Sequence, residues 1–436
     1  MRSPTKNVIH GWRYGLRLGM AVTVAACGLL PLPPAPAAAA PPPVRPARFP
    51  TIAYVANSCP GIFDDGAVTR LDPATNTVAG YTPAGGCPAA IALDPDGDRA
   101  YVANLARDGE DAILVMSTIS NDVLDEIEVD HGPQGVAVTP DGAQVYATIE
   151  DNFDFSHKSN KVLVIDARTD SISDAIPIAG DPGPVAVDHE GRRALVGVSP
   201  GADGTFPNLT VINTRTNAIS RIIPLPASPR AIAVHPLRHR AYVTGNYWER
   251  GQVSVIDTAT GGLLKSIPVS GAPLGVAVSD DGTRAYVATV ADRGESALTV
   301  IDTVTNAVTA TIAIPGYRRP IGVALSHDGK TAYLTATTGK EDAVVVIDTA
   351  RRSVTATIDV GDGLNEANTQ NIAVGRLIKL RTHLPPRKPR PGKPGKPGRA
   401  GESGEAGTGP AMAVDVLGPP PGPARLVRGR STGSGG

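Results

Sequence analysis

A short apolar run closed by a polar residue, Val253 to Asp257 in its clearest form, returns along this chain at nearly constant intervals. Its last position falls at Asp72, Ser117, Asp166, Asn213, Asp257, Asp302 and Asp348, with spacings of 45, 49, 47, 44, 45 and 46 residues. A period of that length restricts the fold to stacked copies of one supersecondary unit. In the unit Val253 to Thr289, four strand signals follow one another: Val253 to Asp257, Leu263 to Val269, Val276 to Ser279 and Ala285 to Thr289. They are β-branched or alternate apolar with polar side chains, and turn residues lie between them. Asp281-Gly282 supplies the positive φ that a tight hairpin needs.

Four short strands joined by turns make one twisted antiparallel sheet, which buries both faces only against copies of itself. The sequence therefore predicts an all-β chain, a seven-bladed β-propeller of four-stranded antiparallel blades over residues 51–380. With strands named a to d from the axis outward, strand a is expected at Ala89 to Leu93, Gly135 to Thr139, Pro184 to Asp188, Ala231 to His235, Gly275 to Ser279, Ile321 to Ser326 and Asn371 to Gly375. The first unit starts out of phase, at strand b (Ile52 to Asn57), and the last offers a spare strand a. The ring is thus predicted to close by pairing the N- and C-terminal strands, which leaves no open sheet edge.

Tyr54-Val55-Ala56-Asn57, Tyr101-Val102-Ala103-Asn104 and Tyr286-Val287-Ala288-Thr289 each accompany a Val-x-Val-Ile-Asp type of strand. In these motifs the chain resembles the YVTN-repeat β-propellers, including the YncE-like exported proteins. The resemblance spans residues 51–380 and implies the fold; its motifs are blade framework, and it brings no general catalytic set. Two units depart from it: Leu195-Val196-Gly197-Val198 replaces the tetrad, and Leu237-Arg238 replaces the Asp-Gly turn.

Outside the repeats the composition changes. Residues 1–37 carry Arg2, Lys6, Arg13 and Arg17 without an acid, then the apolar run Leu18 to Leu32 and small residues at Ala35 and Ala37, the order of a secretory signal peptide. Cleavage near Ala37 and lipidation of Cys27 are the two alternatives, giving a secreted or cell-surface protein without a transmembrane anchor. Residues 38–50 form a Pro/Ala-rich linker, and residues 381–436 a Pro/Gly/Arg-rich tail with a glycine at every third position from Gly392 to Gly407, expected to be disordered. Arg outnumbers Lys 31 to 10, which points to a bacterial GC-rich genome. In an oxidising compartment, Cys59 and Cys87 are expected to form a disulfide.

Residues 51–375 hold 23 basic and 39 acidic side chains, a net of −16, which argues against nucleic acid as a partner of the body. The b-to-c connections vary most in length and share one face with the d-to-a connections, and uneven loops on a rigid scaffold are where binding sits. The candidate binding residues there are Asp64, Asp65, Asp108, His131, Glu150, Asp151, Tyr247, Trp248, Arg318, Arg319 and Glu341. Acids and aromatics around a funnel suit a sugar, a cation or a cationic peptide.

Sharper motifs fail on context. Gly197-Val198-Ser199-Pro200-Gly201 has no helix behind it for a nucleophile elbow. Asp94, Asp96 and Asp98 lack the bidentate glutamate of a calcium loop. His235 and His239 flank a turn, so no metal set is read from histidine spacing; His131, His157 and Glu150 are the nearest approach to an acid/base cluster. No cofactor, metal or catalytic set is expected. The expected function is that of a monomeric binding or scaffold module for a protein, peptide or cell-surface glycan; the alternatives are a lactonase- or lyase-like enzyme in the central funnel and a surface protein retained by its basic tail.

Overall fold

The computed structural model describes residues 51–57, 66–106, 111–151, 159–201, 204–247, 250–290, 296–338, 342–361 and 371–376. These form seven four-stranded antiparallel sheets. The innermost strands are Ile372–Arg376, Cys87–Leu93, Gly132–Val138, Asp181–Val187, Ser228–Val234, Ala272–Val278 and Arg319–Leu325, for blades 1 to 7 in turn. Each touches the next around the axis, and the last touches the first. The ring closes where Ile372–Arg376 pairs with Thr51–Asn57, with Thr51 opposite Arg376 and Val55 opposite Ile372.

The core is divided among the junctions. Seven apolar clusters each fill the space between two neighbouring blades. Strand b feeds two of them at once, because successive side chains point to opposite faces. In Arg99–Leu105, Tyr101 and Ala103 enter the junction with blade 3, while Ala100 and Val102 enter the junction with blade 1. This is why these strands read as continuous apolar runs, whereas the outer strands are largely exposed, some alternating exposed with half-buried residues, as in Val123–Glu128, and others exposed almost throughout, as in Ser171–Pro177.

Six of the seven innermost strands begin two to three residues earlier than proline and glycine signals place them, and the closing strand begins at Ile372, one residue later than expected. Pro88, Pro133, Pro182, Pro229, Pro273 and Pro320 lie inside these strands, and the pairing with strand b shifts register just after each of them. An edge strand tolerates proline because its outward N–H has no ladder partner to lose, and the bulge that follows increases the local twist. Ala272–Val278 accordingly takes in Ala272 and Pro273 ahead of the expected start at Gly275, and Cys87 is the first residue of its strand, ahead of the expected Ala89.

The tyrosine and asparagine of the tetrad bind neighbouring blades in opposite directions. Tyr54, Tyr146 and Tyr242 donate their hydroxyls to Asn121, Asn217 and Asn306 Oδ1 in the next blade, at 2.7, 3.0 and 2.9 Å. Asn57 and Asn104 donate Nδ2 to the carbonyls of Val360 and Ala84 in the preceding one, at 2.6 and 2.9 Å. The tetrad is thus an interblade fastener.

Candidate functional site

The connections b-to-c and d-to-a define an upper face, the connections a-to-b and c-to-d a lower one. On the upper face, at the junction of blades 2 and 3, five ionisable side chains converge. His131 precedes the innermost strand of blade 3. Its Nδ1 lies 3.5 Å from Asp151 Oδ1 and its Nε2 4.0 Å from Asp130 Oδ2. Lys161, the first residue of Lys161–Asp166, reaches the same Asp130 oxygen at 2.5 Å. Asp111, whose Oδ1 accepts the Ala106 N–H at 2.7 Å, completes the group.

Their environments differ. Burial pushes the Asp111 carboxyl above the usual carboxylate range, against the opposing pull of the Ala106 N–H and of His131. Asp130 also feels burial, but the Lys161 hydrogen bond and the neighbouring positive charge prevail and hold it below that range. Asp151 is almost fully buried and its N–H donates to Asn160 Oδ1 at 2.7 Å. Asn160 in turn donates Nδ2 to the Gly180 carbonyl at 2.8 Å, so this rim is tied to blade 4.

Of the predicted site residues, His131, Glu150 and Asp151 lie together: Glu150 ends its strand opposite Gly132, next to His131. Arg318 and Arg319 are exposed at the start of blade 7, three blades away by the shorter route. Tyr247 ends Arg240–Tyr247, opposite Arg250. Asp64, Asp65, Asp108, His157, Trp248 and Glu341 lie outside the described residues, as do Cys59, Cys27, residues 1–50 and residues 377–436. Cys87 is disulfide-bonded.

The axis itself is apolar. Ile91, Val136, Val185, Ala231, Val276, Val323 and Ile372, one from each innermost strand, border a cavity of about 290 Å³. Below it opens a second cavity of about 470 Å³ that sequence reasoning missed, with Asp94, Asp280, His327 and Arg376 on its wall. His327 Nδ1 is paired with Asp280 Oδ2 across the turns of blades 7 and 6. Both residues occupy the place just before the Asp-Gly corner, where blades 2 and 3 have Pro95 and Pro140.

No protein-family model matches the chain, and no curated protein does. Solved structures do match. A Kuenenia stuttgartiensis hydrazine synthase is similar at 19% identity with a TM-score of 0.54, over 66% of this chain and 95% of that one. A functionally unknown protein from Desulfotomaculum acetoxidans is similar at 15% identity and a TM-score of 0.56, over 74% of this chain and 99% of that one. The β-propeller domain of Myceliophteria thermophila Cps50 (Swd1) is similar at 11% identity and a TM-score of 0.50, over 62% and 86%. The chain is a β-propeller. At these identities the likeness concerns the fold alone, and a propeller's chemistry lies in its own site residues.

Proposed function

We propose that this propeller is a binding module that takes a cationic segment of a protein or peptide on its upper face, at the junction of blades 2 and 3. The observation that carries this reading is the convergence of Asp111, Asp130 and Asp151 around His131 and Lys161. The body's net charge of −16 over residues 51–375 supports it through long-range attraction. For a funnel enzyme, the described residues lining the axial cavity offer no titratable group, whereas the cavity below it carries Asp94, Asp280, His327 and Arg376. The disulfide at Cys87 supports the export reading of residues 1–37, and the tyrosine-asparagine tetrads support a place among YVTN-repeat proteins.

The test is binding of a lysine-rich peptide to the full chain at low and high ionic strength, with an aspartate-rich peptide as control. Binding of the cationic peptide alone, falling as salt rises, is expected, and the double variant D111N/D130N should weaken it about tenfold, ~1.4 kcal/mol. Equal binding of both peptides, or none, sinks the reading.

A further inference from the structure

Histidine spacing along the chain offers no metal set, but folding assembles one from two blades. His189 and Glu190 sit in the a-to-b turn of blade 4, and His239 sits at the end of the corresponding turn of blade 5. The two rings lie 5.4 Å apart between centroids, tilted by 41°. His239 Nε2 is 3.9 Å from Glu190 Oε1. One potential ligand atom from each of the three residues lies within 4.8 Å of the others.

The local backbone explains the approach. In blades 2, 3, 4, 6 and 7 this turn contains a glycine in the left-handed region: Gly97, Gly142, Gly191, Gly282 and Gly329. Blade 5 has Leu237-Arg238 there, no residue of that turn has positive φ, and the Arg240 N–H instead closes on the Arg238 carbonyl at 2.7 Å. The altered corner carries His239 toward blade 4.

Two further observations point to a cation. His189 Nδ1 and His239 Nδ1 are both shut off from solvent without a hydrogen-bond partner, an arrangement that costs about 1–3 kcal/mol per group. Neither nitrogen is committed elsewhere, so each ring can adjust its tautomer to present a lone pair. Glu190 divides its oxygens, Oε1 facing His239 and Oε2 held by Arg192 Nη1 at 3.3 Å, which orients the carboxylate as an outer-sphere partner does at metal centres.

We propose that His189, Glu190 and His239 bind a divalent transition-metal ion of the zinc type and thereby join blade 4 to blade 5. Two imidazoles and one carboxylate favour zinc, nickel or copper over magnesium or calcium, whose ligands are oxygens. Bonds of ~2.0–2.1 Å in tetrahedral geometry need ligand separations of ~3.4 Å, so the side chains close by about 1 Å. The His239 and Glu190 side chains are 42% and 30% exposed and have room to turn. A coordination position remains for water or an incoming group.

The place matters as much as the ligands. This junction lacks the tyrosine-to-asparagine fastener, since blade 4 has Leu195 for the tyrosine and blade 5 has Gly261 for the asparagine. Thr258 Oγ1 in the same turn of blade 5 is buried without a partner, whereas Thr118, Thr214, Thr303 and Thr349 donate at this position to a glycine carbonyl of their own blade. A metal ion supplies here a link of the kind that Tyr54, Tyr146 and Tyr242 make with hydrogen bonds at three other junctions.

The experiment is titration of the chelator-treated full chain with zinc, and with magnesium as control, followed by calorimetry and thermal unfolding. One zinc per chain and a rise in Tm are expected, with magnesium inert. H189N and H239N should each weaken zinc binding at least about 100-fold and E190Q about tenfold. Cobalt should give visible bands of a four-coordinate site that vanish in the same variants. E190Q changes an exposed side chain and keeps the test valid if a histidine variant folds poorly. Zinc binding unaltered in H239N and E190Q, an equal response to magnesium, or no stoichiometric zinc binding overturns the proposal.

Discussion

The fifth residue of each c-to-d turn stands in the left-handed region, and its identity sets how the preceding blade grips it. Asn76, Asn121, Asp170, Asn217, Gly261, Asn306 and Arg352 all have positive φ. Asparagine and aspartate tolerate that conformation better than other residues with a Cβ and keep a side-chain oxygen to offer. Where the residue is Asp170, Arg99 of blade 2 reaches its two carboxylate oxygens at 3.1 and 3.2 Å and the Ala167 carbonyl at 3.2 Å. Arg99 and Asp170 are both buried, so D170A strands a guanidinium and should cost about 3–5 kcal/mol in urea unfolding, with D170N milder. Equal losses in the two variants would mean that shape, not charge, matters there. The tyrosines give a pH signature. Burial raises Tyr54 to about 12, against the pull of Arg70, and raises Tyr146, Tyr242 and Tyr333 as well. The unfolded chain releases these protons near pH ~10, so the stability they contribute is intact below that value and is lost as pH climbs toward 12. Tm should therefore fall steeply in that window, and less so in Y54F.

At the scale of elements, repeat and turn chemistry were legible and distances between blades were not. The period, the seven strands nearest the axis and the pairing of chain ends follow from residue types alone. The starts of the innermost strands were misplaced because proline signals a turn locally, while an edge strand accepts it. The cluster of His189, Glu190 and His239 joins residues about one repeat apart, a separation that no linear motif encodes; its one visible sign was the missing Asp-Gly in blade 5. The same junction allows a direct test of the fastener. Gly261 has φ of 77°, and the atoms nearest a Cβ there belong to the movable end of Arg221. Asparagine fits such a site. In a double-mutant cycle, L195Y and G261N should couple favourably by about 1 kcal/mol. Simple additivity of the two changes would show that the tyrosine-asparagine contact adds nothing beyond packing.

For the whole molecule, closure turns seven weakly independent sheets into one body. The strand Ile372–Arg376 completes blade 1, brings Ile372 into the cluster between blades 7 and 1, and places Asn371 Oδ1 3.0 Å from Thr335 Oγ1. A chain ending at Asn371 should retain its sheet content but expose the edge of Thr51–Asn57, lowering Tm and driving self-association in sedimentation experiments. An unchanged monomer of wild-type Tm would show that the closing strand is dispensable. The geometry of that closure has a mechanical side. Thr51 begins one strand, Arg376 ends its partner, and the two stand opposite each other at the same end of the ladder. A force drawing the two ends of the propeller apart meets the hydrogen bonds one at a time, as in opening a zipper, rather than all together as in sliding one strand past another. The closed ring leaves no blade with an unpaired neighbour, yet under tension it has a single designated place to part, and blade 1 is the first to yield.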